Sequence, residues 1–241
     1  MKSTRQRSAG LAAKAIAILA AIALSFAPPI AYAAGFAPVP AMISGKSPDQ
    51  LGTWTVHYQR VAGGDEAVTG RINEHLDAEA NRQVQQATWD GSTRHPWTFD
   101  SNGTLTIGTV AVSELFTTQY NTNEPHMPVL SVASMVLDGR SGVRITWDNL
   151  FVDKQAGLSR LSEATEAAMA AVAPPTWLRD WRLRGEFAPI DINYRAWIAT
   201  AEGIELHFPQ YQFGGGLKAV TVPWARVADL IAPEFAPIMS S

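Results

Sequence analysis

TWTVHYQRVAGGDEAVTGRINEHLDAEANRQVQQA, residues 53–87, decides the class of fold. Its first nine residues, Thr53 to Val61, alternate and are rich in β-formers, which predicts a strand. Gly63-Gly64-Asp65 has the chemistry of a turn. The period then changes: Ile72, Leu76, Ala80 and Val84 recur every fourth residue, with Glu74, Asp77, Glu79 and Arg82 between them. That spacing predicts a helix over about 69–87, with one narrow apolar stripe laid against a sheet. Asn73, Asn81 and Gln85 are expected on its polar faces.

Downstream, Trp89 to Asn102 reads as loop, with Asp90-Gly91 and Asn102-Gly103 as turn dipeptides. Thr104 to Phe116 and Val129 to Leu137 are β-prone, and Asp138-Gly139 turns the chain into Val143 to Trp147. Leu158 to Val172 predicts a second helix, stopped by Pro174-Pro175. The segment Thr176 to Glu186 carries Trp177 and Trp181 among three arginines and has no assignable period. Two strands, Ile192 to Thr200 and Ile204 to Phe208, then precede the loop Gly214-Gly215-Gly216 and a strand at Lys218 to Val222. Pro223 stands at the first position of a short final helix with Trp224, Val227, Leu230 and Ile231 on its apolar side. Strands and helices mix without regular βαβ alternation, so the class is α+β, a helix packed on a mixed, mainly antiparallel sheet.

Upstream, Lys2, Arg5, Arg7 and Lys14 precede the apolar run Ala15 to Ala27 and the small-residue site Ala31-Tyr32-Ala33. That layout predicts a secretory signal peptide over residues 1–33, and the apolar run is short of the roughly 20 residues that span a bilayer. The exported chain is expected to be extracytoplasmic, with no membrane span after cleavage. Residues 34–50, with Pro38, Pro40, Gly45 and Pro48, read as a flexible or extended lead-in, and 51–241 as the α+β domain. Without the signal, 15 basic residues face 22 acidic ones, a net charge of −7. An acidic surface repels phosphate backbones, so nucleic acid is not an expected partner, whereas a cationic protein would be attracted.

The absence of cysteine excludes disulfides, thiolate zinc sites and a cysteine nucleophile. His57, His75, His95, His126 and His207 are all widely spaced, without an HxH or HExxH pattern, so no metal is expected. There is no G-x-S-x-G elbow and no P-loop, and no cofactor is implied. Asp65-Glu66, Glu74/Asp77 and Glu202/Glu205 are explained as turn and helix-surface charge. What remains is aromatic: Tyr211 and Phe213 beside the triple glycine, and Trp177 and Trp181 among arginines, sit in segments that look like loops. Exposed loop aromatics anchor ligands, and these four are the candidate ligand-binding residues.

Two segments carry a resemblance. SMVLDGRSGVRITWDNLFVD, residues 134–153, joins an aliphatic strand to an Asp-Gly turn, a second strand and Asp-x-Leu-Phe. YRAWIATAEGIELHFPQYQFGGGLKAVTVPWARVADLIAP, residues 194–233, has a turn ending in Gly203-Ile204, a tyrosine loop with glycine and Val-x-Val-Pro at 220–223. Together they resemble the domain of uncharacterised function shared by the extracytoplasmic C-terminal part of RsiV-type anti-sigma factors and by secreted mycobacterial immunogenic proteins. The match is best over 125–233, where Pro125-His126 resembles the family's Gly-x-His-Pro stretch but Met127 intervenes. The resemblance implies a β-grasp-like fold and no established enzymatic activity, and it implies binding or sensing outside the cytoplasm, lysozyme being the ligand of RsiV-type proteins. Only 14 residues precede the apolar run, so no cytoplasmic sigma-binding domain is expected.

The expectation is therefore a secreted, non-catalytic recognition protein whose ligand is lysozyme, cell-wall glycan or a host factor. The alternatives are a cell-wall glycan hydrolase using a carboxylate pair and a structural envelope protein.

Overall fold

In the computed structural model, which describes residues 35–240, the chain opens with an antiparallel pair. β1 (Phe36–Lys46) and β2 (Gly52–Gly63) run in register from Phe36↔Gly63 to Lys46↔Thr53. The expected signal peptide, residues 1–33, lies outside the described residues. Of the two readings of the lead-in at 34–50, flexible or extended, β1 is the extended one, and it belongs to the sheet. Prolines break a strand only where their missing N–H is needed. Pro38 and Pro40 lie opposite Val61 and Gln59. The N–H groups of those two residues point away from β1, donating to Asn73 Oδ1 (2.8 Å) and Glu114 Oε1 (2.6 Å). The facing proline nitrogens therefore point to the outer edge, and the ladder loses no bond.

α1 (Glu66–Asp90) follows, capped by Asp65, whose carboxylate accepts from Val68 N–H at 3.0 Å. Ile72, Leu76 and Ala80 of the expected stripe are fully buried, with Val68 and Ala87 extending it. Asn73 is a correction: it is buried too, facing the sheet, while Asn81 and Gln85 are exposed as expected. α1 is the crossover to β3 (Trp97–Ile107), which pairs with β2 in parallel from Gly52↔Trp97 to His57↔Asn102. Half of β3 falls in the stretch expected to be loop. The alternation of buried Trp97, Phe99 and Ser101 outweighs the turn dipeptide Asn102-Gly103 there. A turn closed by Gly108 N–H to Ala111 O (2.8 Å) divides the next β-prone run between β3 and β4 (Ala111–Thr122). With β5 (Val129–Asp138) the sheet is complete, in the order β1-β2-β3-β4-β5, antiparallel except at β2/β3.

The second half builds a smaller antiparallel sheet of β6 (Ala196–Ala199), β7 (Gly203–Phe208) and β8 (Lys218–Pro223). Around it lie α2 (Trp147–Leu150), α3 (Lys154–Ala170), α4 (Pro175–Leu183) and α5 (Gln210–Phe213). The segment without an assignable period becomes α4, started by Pro175 and burying Leu178 and Trp181. Residues 192–194, expected to begin a strand, instead belong to a 3-10 turn, Asp191–Tyr194. The turn drives Tyr194 inward, where its hydroxyl donates to Phe187 O at 3.1 Å. The short final helix expected from Pro223 to Ile231 is instead two 3-10 turns, Trp224–Arg226 and Ala228–Leu230, and a third, Pro233–Ser240, follows with Pro237 inside it.

The two sheets meet through serines. Trp197 N–H and Ala199 N–H of β6 donate to Ser134 Oγ (2.8 Å) and Ser113 Oγ (3.2 Å), on the face of β4 and β5 opposite α1. One core thus lies under α1, and another joins the small sheet to α3 and α4, with Trp147 stacked on Trp197 at 4.5 Å. No helix among the described residues is long and apolar enough to cross a membrane.

Asn73 gives Val61 both partners it would otherwise lack, donating to its C=O (2.9 Å) as well as accepting from its N–H. Asn73→Ala should therefore cost about 2–4 kcal/mol in urea unfolding, since two buried backbone groups lose their bonds. Asn81→Ala on the exposed side should change stability by less than about 0.5 kcal/mol.

Candidate functional site

Beyond the C-terminal half of α1 the sheet is not covered. A cavity of about 610 Å³ opens there, between α1, the ends of β3 to β5, and the segments carrying Arg144, Arg195 and Tyr211. Its floor is largely apolar, with Phe99, Tyr120, Val129, Val132 and Ala133, and Arg82 reaches it from α1. A second cavity of about 280 Å³ shares Ser134, Arg144 and Arg195 with it and continues toward Trp147, Trp197, Asp148 and Asp191.

Each cationic group is placed by local structure. Arg144 follows a tight turn in which Ser141 N–H and Gly142 N–H donate to Asp138 O, and Gly142 takes a φ of 74° that glycine adopts without strain. The Asp138 carboxyl is pushed up by burial, but the hydrogen bonds from Arg140 (2.9 Å) prevail and hold it below the usual range. The turn returns Arg144 beside Leu137 in an antiparallel bridge. Arg195 leaves the 3-10 turn just before β6, and its Nη2 donates to the Tyr211 hydroxyl at 2.6 Å. Arg82 is held by Glu79, Nε to Oε2 at 2.9 Å. Arg144 and Arg195 differ from it: both are exposed, and no carboxylate among the described residues bridges either one. In the neighbouring cavity, Lys154 holds Asp148 (2.9 Å) and Asp191 (2.6 Å) together.

The four aromatics expected to bind a ligand are divided by the structure. Tyr211 is 62% exposed and lines the larger cavity. Phe213, two residues on, is 1% exposed and packs on Phe208 (5.0 Å) and Trp181 (5.2 Å). α5 explains the contrast: at about 3.6 residues per turn, residues two apart point to nearly opposite sides. Gln210 reaches Leu130 N–H (3.2 Å), Tyr211 faces the cavity, and Phe213 enters the core. Trp181 is core as well, so burial corrects both it and Phe213 as exposed ligand anchors. Trp177 is 55% exposed on α4 and lines neither cavity.

A polar cluster that the sequence did not disclose lies beneath α1. Glu114, fully buried on β4, sends its carboxylate over Gly103 of β3, where a Cβ would sit 2.3 Å from Oε1, to accept from Gln59 N–H of β2. Its Oε2 has no partner. Burial pushes this carboxyl up to about 8, opposed by the Gln59 hydrogen bond and aided by the charge of Glu79. Glu79 also meets Gln83, which accepts from Ser101 Oγ at 2.7 Å. The signal for Glu114 was present in the alternation of Val112, Glu114 and Phe116, which puts a carboxylate on an apolar face. Of the histidines, His57 is exposed, and His207 lies 2.8 Å from Glu205 with burial lowering its pKa. Among the described residues no three His, Cys, Asp or Glu side chains gather as a metal site.

No family model matches the sequence, and no curated protein matches it. Solved structures do. The chain is similar to a DUF3298 family member from Bacteroides fragilis, with TM-score 0.56 and 10% identity over 85% of this chain and 95% of that one. It is also similar to a DUF3298 family protein from Pseudomonas aeruginosa, with TM-score 0.50 and 11% identity over 86% of this chain and 96% of the other. The shared feature is the fold, that of a domain family of uncharacterised function.

Two outcomes follow from the placement of these groups. Phe213→Ala should lower stability by about 3–5 kcal/mol, whereas Tyr211→Ala should leave the melting temperature within a few degrees of the parent. A carboxyl raised in the folded state stabilises below the ordinary carboxylate pKa, and that contribution is lost as pH climbs through the raised value. The melting temperature should therefore fall between pH 5 and pH 9, roughly the interval spanning the shift at Glu114. Glu114→Gln, which cannot ionise, should flatten that slope in thermal scans.

Proposed function

We propose that the protein is an exported, non-catalytic binding module that captures an anionic ligand in the cleft between α1 and β5. One observation carries this: Arg144 and Arg195 present two exposed guanidinium groups, unpaired with any carboxylate among the described residues, over an apolar floor. Such a fork matches carboxylate or phosphate oxygens in bidentate geometry, and the apolar floor supplies the area that a small charged site lacks. Tyr211 holds Arg195 in place and adds a ring at the rim.

Export is supported by the signal-peptide pattern of residues 1–33, and a recognition role by the resemblance to RsiV-type extracytoplasmic domains. Lysozyme fits the net charge of −7 but not this cleft, whose sign is the same as its own. A glycan hydrolase needs two carboxylates flanking its substrate. The larger cavity is lined by a single carboxylate among the described residues, Asp90, which accepts from Gln86; Glu79 and Glu114, 3% and 0% exposed, line neither cavity, and Asp148 and Asp191 are engaged by Lys154.

Calorimetry with tricarballylate and with lysozyme, at about 50 and 300 mM salt, tests the proposal. Tricarballylate should bind saturably, more weakly at the higher salt, and Arg144→Ala or Arg195→Ala should each reduce its affinity about tenfold. Binding of lysozyme without binding of the tricarboxylate would move recognition to the acidic surface and remove the cleft from it.

A further inference from the structure

β5 is the last strand of its sheet, and the direction of its backbone groups follows from what they meet. Leu130 N–H is taken by the side-chain oxygen of Gln210 at 3.2 Å. Val136 O accepts from Ile145 N–H, and Asp138 N–H donates to Val143 O, both at 2.8 Å. None of these partners belongs to β4, so the even-numbered residues of β5 direct both backbone groups to the outer edge, as antiparallel pairing requires. Val132 and Ser134 share that parity. The segment 143–145 closes the edge at one end and Gln210 closes it at the other. Between them, the N–H and C=O of Val132 and Ser134 have no backbone partner among the described residues. Both residues line the larger cavity, and the two unpaired arginines flank the opening.

Val132 and Ser134 are 4% and 7% exposed, so this edge is reached only through the cavity they line. A stretch of strand edge without backbone partners, bounded by closed ends, is a template for one more short strand. We propose that the cleft takes an extended acidic peptide that adds to β5 as a sixth strand, bonding the backbone of Val132 and Ser134. It rests on the anion-binding role proposed for the cleft and specifies the ligand. The span between the closed ends admits about five residues at the rise of a β-strand. The added strand exchanges its backbone bonds with β5 through alternate residues only, and its side chains alternate between the α1 side and the small-sheet side. Carboxylates on such a strand meet Arg144 and Arg195, since the acids that line the two cavities have other partners: Asp90 accepts from Gln86 at 2.6 Å, and Asp148 and Asp191 are held by Lys154. Gln210 already seats an amide oxygen on this edge, the same contact an incoming peptide C=O makes. Charge complementarity therefore selects an acidic strand over a neutral or basic one, and the blocked ends select a short one.

The test uses the acetylated, amidated pentapeptide Glu-Val-Glu-Val-Glu, its lysine-for-glutamate counterpart, and two versions N-methylated on alternate sets of amides, alongside tricarballylate. Calorimetry should find the acidic peptide bound at least about tenfold more tightly than tricarballylate, and the lysine peptide not bound. Methylation of one set should weaken binding about tenfold or more while methylation of the other is tolerated, because only one set faces β5. Amide exchange at Val132 and Ser134 should slow about tenfold or more on binding. Equal binding of both methylated versions, or of the lysine peptide, overturns the added strand. So does binding of tricarballylate as tight as that of the peptide, though the anion-binding role then stands. If neither peptide nor tricarballylate binds, both readings fall together.

Discussion

The parallel pairing of β2 with β3 ends at His57↔Asn102, while β2 continues beside β1 to Gly63. From that point one edge of β2 runs under α1 with backbone groups that no strand meets. Two side chains from different elements close the gap: Glu114 across Gly103 to Gln59, and Asn73 in a two-bond clasp on Val61. Buried backbone groups left unpaired are among the larger penalties a fold can carry. The seating of α1, the outward-facing prolines of β1 and the missing side chain at position 103 all follow from this repair. Its polar continuation, Glu79, also holds Arg82 at the rim of the cleft.

The cleft itself is the consequence of a mismatch in cover. α1 shields one face of the five-stranded sheet, and the small sheet docks on the other through the hydroxyls of Ser113 and Ser134. Where the two halves meet beside β5, the turn at Asp138–Gly142 and the 3-10 turn at Asp191–Tyr194 deliver Arg144 and Arg195, more than 50 residues apart in the chain, to one opening. Among the described residues no carboxylate bridges either guanidinium at that place, although most of the other arginines reach one. A cleft with an apolar floor and two guanidinium groups that no described carboxylate bridges is the arrangement on which the proposed binding role rests.

Periodicity carried much of this organisation. The stripe Ile72, Leu76 and Ala80 announced α1, alternation announced β2, β5 and β7, and the mixture of the two announced an α+β class. Local signals misled wherever tertiary partners supplied what the chain lacked. Prolines at 38 and 40 belong to a strand because their nitrogens face the outer edge, and Asn102-Gly103 sits in a strand because a glutamate passes over the glycine. Phe213 and Trp181 look like loop aromatics until a helical turn and α4 carry them inward.

The class of fold and the position of its principal helix were legible in the residues alone, since these depend on side chains within one or two turns of each other. Which aromatics are exposed, which polar groups are buried and which charges converge depended on the packing of distant elements. Asn73 and Glu114 show no local sign of their partners 12 and 55 residues away, and nothing in the neighbourhood of Arg144 or Arg195 announces the other. Hydrogen bonds and Coulomb interactions act through space, whereas periodicity is a record of neighbours along the chain.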